Sequence, residues 1–219
     1  MNQKFFLDAR DYSKFRLLEQ LGKAPGVKQV TAIWMMTPLE PSKGHGLKEP
    51  KLNPDFPELN KIFEKRGPHR SIAEVKEYFE SRSIRFNSYG LEKALSNVSV
   101  ERARYFEDIP PDWLKSAVIV FDPDNGLQPA KARPDEKHLR YEELEIVLKR
   151  SSNDSVVSFI QFPARQIDFY PSVARRLHQR LPFANVRWLK ENGVAFFMVA
   201  NDSERLTQIA KIRPDLQQV

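Results

Sequence analysis

The chain has 219 residues, 41% hydrophobic and 29% charged, which excludes a disordered polymer and suits a globular unit with a sizeable core. It holds no cysteine, which excludes disulfides and thiolate metal sites and fits a reducing, cytoplasmic setting. The formal net charge of +6 admits polyanions such as nucleic acid, and no apolar run is long enough to span a bilayer, so no membrane partner is expected.

Met1-Asn2-Gln3-Lys4 leads into no long apolar stretch, so no signal peptide is expected. Tyr12, Phe15, Leu18 and Leu21 recur at helical spacing and predict a helix from Asp11 to Leu21, stopped by Gly22. Val30, Ile33, Trp34, Met35 and Met36 predict a buried strand over Gln29–Met36. A loop rich in proline and glycine follows, from Thr37 to Pro57, holding Glu40, Lys43, Gly44, His45 and Gly46. Two helices are expected next, at Pro57–Arg66 and from the capping box Ser71-Ile72-Ala73-Glu74 to about Ser81.

Val98–Ala103 reads as a weak strand, Pro110 to Leu114 as a helical turn, and Ala117–Phe121 as the clearest strand of the chain. It stops at Asp122-Pro123-Asp124-Asn125-Gly126, a strong turn-former, and a polar loop runs on to Arg140. Loops of that length are often functional. The order then becomes regular: helix Tyr141–Arg150, strand Ser155–Gln161, helix Pro171–Leu181, strand Asn185–Leu189. Asn192-Gly193 predicts a tight hairpin into Val194–Ala200, and Asp202 caps a last helix to Ile212.

Strands that alternate with helices imply crossovers and a mostly parallel sheet covered on both faces. The closing hairpin makes the final strand antiparallel. That order resembles the class I methyltransferase fold, so the expectation is one three-layer, Rossmann-like α/β domain over residues 1–219, with a helical insertion at about 55–95. On that alignment the strand ending at Phe121 takes the place of the family's fourth. Ligands in open α/β sheets sit outside the carboxyl ends of strands.

Two motifs extend the resemblance. Asp8-Ala9-Arg10-Asp11-Tyr12-Ser13-Lys14-Phe15-Arg16-Leu17-Leu18 resembles the GD-x-GDF-x-KY-x-LL opening of an uncharacterised bacterial and phage family. Members also carry FDPDNGLE, matched by Phe121-Asp122-Pro123-Asp124-Asn125-Gly126-Leu127, with Gln128 in place of the usual Glu. More distantly, both segments resemble the ribosomal-RNA adenine methyltransferases. That resemblance implies S-adenosylmethionine as cofactor, nucleic acid as partner, Asp122, Asp124 and Asn125 at the reacting centre, and Asp11, Lys14, Thr37 and Glu40 on the donor side.

Here the chain departs from the pattern: Asp124 and Asn125 replace the second proline and the aromatic of Asp-Pro-Pro-Tyr, and no glycine follows the first strand before Gly44. Two alternatives stay open. Asp122, Asp124 and Asn125, with Glu40 or His45, offer oxygen ligands to magnesium for phosphodiester hydrolysis, with Lys14, Arg16, Arg133 and Lys137 for phosphates. A non-catalytic descendant instead binds nucleic acid or protein through Arg175, Arg176 and Arg180, which give one helix a basic side. His45, His69, His138 and His178 show no metal-ligand spacing, and Trp34 and Trp113 are expected in the core.

Overall fold

The computed structural model describes residues 9–37, 53–64, 72–129, 133, 135–165 and 167–218. In chain order the elements are α1 (Ala9–Gly22), β1 (Gln29–Ile33), α2 (Pro57–Glu64), α3 (Val75–Ser81), β2 (Phe86–Tyr89), α4 (Ser99–Glu107) and β3 (Ala117–Phe121). Then come α5 (Tyr141–Arg150), β4 (Val156–Gln161), α6 (Phe169–Arg180), β5 (Asn185–Glu191), β6 (Val194–Ala200), α7 (Ser203–Ile212) and β7 (Gln217–Gln218). The strands form one sheet in the order β2-β1-β3-β4-β6-β5-β7. The first four run parallel, and β6 enters antiparallel between β4 and β5.

Burial on both faces explains why β1, β3 and β4 read as apolar runs. One core gathers Tyr12, Phe15 and Leu18 of α1, Phe79 of α3 and Ile209 of α7 against Val30, Val118 and Phe196. The other gathers Phe106 of α4, Val147 of α5 and Leu177 of α6 against Ile33, Phe121 and Phe197. Alternate strand residues thus feed opposite helix layers, giving the three-layer, Rossmann-like fold. Asn192 and Gly193 take positive φ at the β5–β6 turn, as the Asn-Gly pair requires. Asp202 caps α7 by accepting the Glu204 N–H.

Three expectations are corrected. Val98–Ala103 is not a strand: Val98 precedes α4 and Ser99 to Ala103 open it, with Arg102, Tyr105 and Phe106 buried at helical spacing while Val98 and Val100 face solvent. The apolar residues there mark the outside of a helix. The second correction is β2, which lies within the stretch expected to be a helical insertion. Its four residues include Asn87, whose buried amide donates to Gln29 Oε1 at 2.8 Å and Thr31 Oγ1 at 3.1 Å of β1. Polar cross-strand bonds hold it. The strand β1 is also shorter than expected: Trp34 still bonds the Tyr89 carbonyl, but Met36 N–H turns back to the Trp34 carbonyl. Ser71 of the expected capping box lies outside the described residues.

At the end of β2, Gly90 adopts φ +83°, and a Cβ there would overlap the Tyr105 hydroxyl and lie 3.0 Å from the Trp34 carbonyl. Gly193 has a similar φ of +77° but nothing within 4 Å of its missing Cβ. Gly193→Ala is expected to cost about 1 kcal/mol, the left-handed penalty alone. Gly90→Ala is expected to cost clearly more, about 2–4 kcal/mol, because the clash adds to it. Urea unfolding of both variants checks the difference, and equal losses would contradict the close packing of Tyr105.

Candidate functional site

The sheet order reverses direction between β1 and β3: β1 leads outward to β2 and β3 leads the other way to β4. Such a switch point leaves a crevice at the carboxyl ends of the two strands. Asp122 follows β3 directly, and its N–H reaches the Ile33 carbonyl of β1 at 3.3 Å, prolonging the ladder by one residue. Thr37 follows the end of β1, and Asp11 and Lys14 stand one turn apart in the first half of α1.

These residues meet. Lys14 Nζ lies 2.7 Å from Asp11 Oδ1 and 3.0 Å from Asp122 Oδ2. Its side chain is buried, with the ammonium 5.3 Å from the Phe15 ring centre and 5.6 Å from that of Trp34. Thr37 Oγ1 donates to Asp124 Oδ2 at 2.7 Å. Burial alone would pull the Lys14 pKa down, but the charges of Asp11 and Asp122 outweigh it and hold the ammonium well above the usual lysine range. The stability tied to that charge is complete below the ordinary lysine pKa and is lost only as strongly alkaline pH removes the proton.

The turn after Asp124 is built to a fixed shape. Gly126 sits at φ +85°, and a Cβ there would lie 2.8 Å from the Gln161 amide. Gln161, at the end of β4, accepts the Leu127 N–H at 2.8 Å. The two arms of the long loop then pair with each other. Asn125 N–H bonds the Lys137 carbonyl at 2.9 Å, Leu139 N–H the Gly126 carbonyl at 2.9 Å, and Gln128 N–H the Leu139 carbonyl at 2.8 Å. Beneath them Arg102 of α4, 1% exposed, pairs with Glu143 and donates to the Asp135 carbonyl at 3.0 Å. Asp135 in turn accepts the N–H groups of Lys137 and His138.

Of the residues expected at the site, the structure brings together Asp11, Lys14, Thr37, Asp122 and Asp124. Asn125 shares the turn, but its side chain is exposed and its bond is made by the backbone. Glu40 and His45 lie outside the described residues. Arg16 pairs with Asp55 at 3.0 Å, and Arg133 is exposed. Among the described residues no group of three or more histidines and carboxylates could hold a metal ion.

Sequence reasoning missed Gln161, Arg102 and Tyr105. Gln161 carries a faint signal, a polar residue closing a buried strand. Tyr105 donates its hydroxyl to the Trp34 carbonyl at 2.8 Å, and burial pushes its phenol far above the usual tyrosine range, so it stays a donor. No family model matches the chain, and no curated protein sequence matches it.

Chemically, the corner carries two carboxylates on one buried ammonium, with a third carboxylate oriented by a threonine. A buried pair is costly to break because its remaining charge is stranded. Lys14→Met is therefore expected to cost about 3–5 kcal/mol at neutral pH. Adding Asp122→Asn to it should recover part of that loss, since one of the two stranded carboxylates is then neutral. Denaturant melts of the single and double variants test this. A Lys14→Met loss below about 1 kcal/mol, the range of surface pairs, would contradict a buried pin.

Proposed function

We propose that the chain is a methyltransferase-related protein that acts on nucleic acid by binding it, a descendant of that scaffold in which the catalytic corner is closed. The scaffold part rests on the sheet, where a hairpin strand returns antiparallel between β4 and β5, and on a polar corner after β3 at the switch point. Nucleic acid is supported by the net charge of +6. No helix of the described residues is long and apolar enough to cross a membrane.

Lys14 carries the closed-corner reading. In amino methyltransferases the acidic residue after the fourth strand accepts a hydrogen bond from the amine to be methylated. Here Asp122 Oδ2 accepts from Lys14, an ammonium inside the fold, and Asp122 is itself only 6% exposed. An incoming amine would have to displace a salt bridge. The same ammonium also supplies the positive charge that a magnesium ion would bring, which disfavours the hydrolase alternative.

The described residues do not fit S-adenosylmethionine in that family's usual seat. Its donor lies over the ends of the first two strands, against a glycine-rich turn and a carboxylate closing the second strand. In this chain Trp34 and Met35 continue from β1 into the two cores, and the Tyr105 hydroxyl and Gly90 meet at the Trp34 carbonyl. Leu95 N–H then crosses to the Met36 carbonyl at 2.8 Å. The strand β2 ends in Ser88-Tyr89-Gly90, with no acid.

A catalytic reading, with Asp122 and Asp124 at the reacting centre, is supported by their position and by the Thr37–Asp124 bond. Calorimetric titration with S-adenosylmethionine separates the two. The closed corner expects no saturable heat up to millimolar cofactor. Saturable binding that Asp122→Asn weakens would overturn it in favour of the enzyme.

A further inference from the structure

Resting on the nucleic-acid reading above, we infer that the outer face of α6, together with Tyr141 at the start of α5, is the surface that grips the phosphate backbone. Helix α6 has no acidic residue and turns Tyr170, Val173, Ala174 and Leu177 into the core. That leaves Arg175 and Arg180 exposed and Arg176 half-buried on its outer side. Elsewhere Arg16 is matched with Asp55, Arg82 with Glu19 and Glu58, Arg102 with Glu143, and Arg213 with Glu191 and Asp215, while Arg150 and Arg205 are met by backbone carbonyls. Among the described residues, Arg175, Arg176 and Arg180 make no ion pair.

Two of these cations, Arg176 and Arg180, face one phenol. The Arg180 guanidinium lies 5.8 Å from the centre of the Tyr141 ring. Burial raises the Tyr141 pKa, and the positive charges of Arg176 and Arg180 oppose the rise, which places both arginines within electrostatic reach of the hydroxyl. The Tyr141 hydroxyl and Arg176 Nε are both buried without a hydrogen-bond partner. Buried donors are rarely left so, because each costs about 1–3 kcal/mol. Two buried donors without partners, beside guanidinium groups with no paired carboxylate, suit an anionic ligand.

A phosphodiester suits them: its tetrahedral oxygens accept from a guanidinium fork and a phenol together, and its repeating charge matches a row of arginines along a helix. Further along α6, His178 joins Arg187 at a crevice of mixed lining by the sheet edge, shared with Asn185, Val186, Ser203 and Leu206. This face lies on the layer of α4, α5 and α6, so α1 with the Lys14 corner is on the other side of the sheet.

Fluorescence anisotropy with labelled duplex DNA and single-stranded RNA, at low and raised salt, tests the surface. Arg175→Glu/Arg176→Glu should weaken binding about tenfold or more and flatten the salt dependence by about two phosphate contacts. The charge-matched Lys61→Glu/Lys211→Glu, on exposed residues of the opposite layer, should leave most of the affinity. Tyr141→Phe should weaken binding several-fold while leaving the thermal midpoint unchanged or higher, since it removes an unsatisfied hydroxyl. Equal losses in the two charge-reversed proteins would overturn this surface while leaving the nucleic-acid reading standing. No binding by the unmodified protein would overturn both. Competition by polyglutamate as strong as that by DNA would overturn the phosphate assignment in favour of an acidic protein partner.

Discussion

One ammonium ties the carboxyl-end rim of the sheet together. Lys14 reaches from α1 to Asp122 at the end of β3 while holding Asp11 on its own helix, and Trp34 from β1 lies beside it. Two segments 108 positions apart, at Lys14 and Asp122, therefore share one buried charge. Such a contact has high stakes, since each member is costly to bury alone and tolerable only when the others are in place. The rest of the rim follows from it. Asp122 is fixed at the end of the ladder, the turn after it must bend at Gly126, and Gln161 and the paired loop arms hold the bend from the other side.

The same packing that makes the corner firm makes it an unpromising reaction centre. Preorganised catalytic groups face a space where a substrate can stand. Here the acceptor of Asp122 faces Lys14, and the neighbouring ends of β1 and β2 are bridged by Tyr105. Among the described residues, buried polar atoms without a hydrogen-bond partner lie elsewhere, including on the α5–α6 face at Tyr141 and Arg176. The proposed reading, a scaffold that keeps its polar corner for cohesion and binds through a separate basic surface, accommodates both observations.

Much of the fold was legible in the sequence because its signals are local. The apolar run Ala117–Phe121, the Asn192-Gly193 hairpin and the Asp202 cap each depend on a few neighbouring residues, and each stands where expected. The short β2 was not legible, because Asn87 is satisfied by Gln29 and Thr31, some sixty positions away. The helix α4 was misread because its exposed Val98 and Val100 mimic a strand. At the site, Asp11, Lys14, Thr37, Asp122 and Asp124 were visible as candidates through two motifs. Their relation was not: spacing shows that Asp11 and Lys14 share a helix face, but only the tertiary fold shows that Lys14 is occupied by Asp122. Arg102 and Tyr105 gave no signal, since both belong to the misread helix.

The central claim concerns the state of one side chain, and an NMR titration of the Lys14 side chain reads it most directly. A lysine buried between Asp11 and Asp122 should keep its proton, with flat shifts, as pH passes the ordinary lysine value of 10.5. A Lys14 that titrates at or below that value in the folded protein would show an ammonium in water, and the closed corner would not exist.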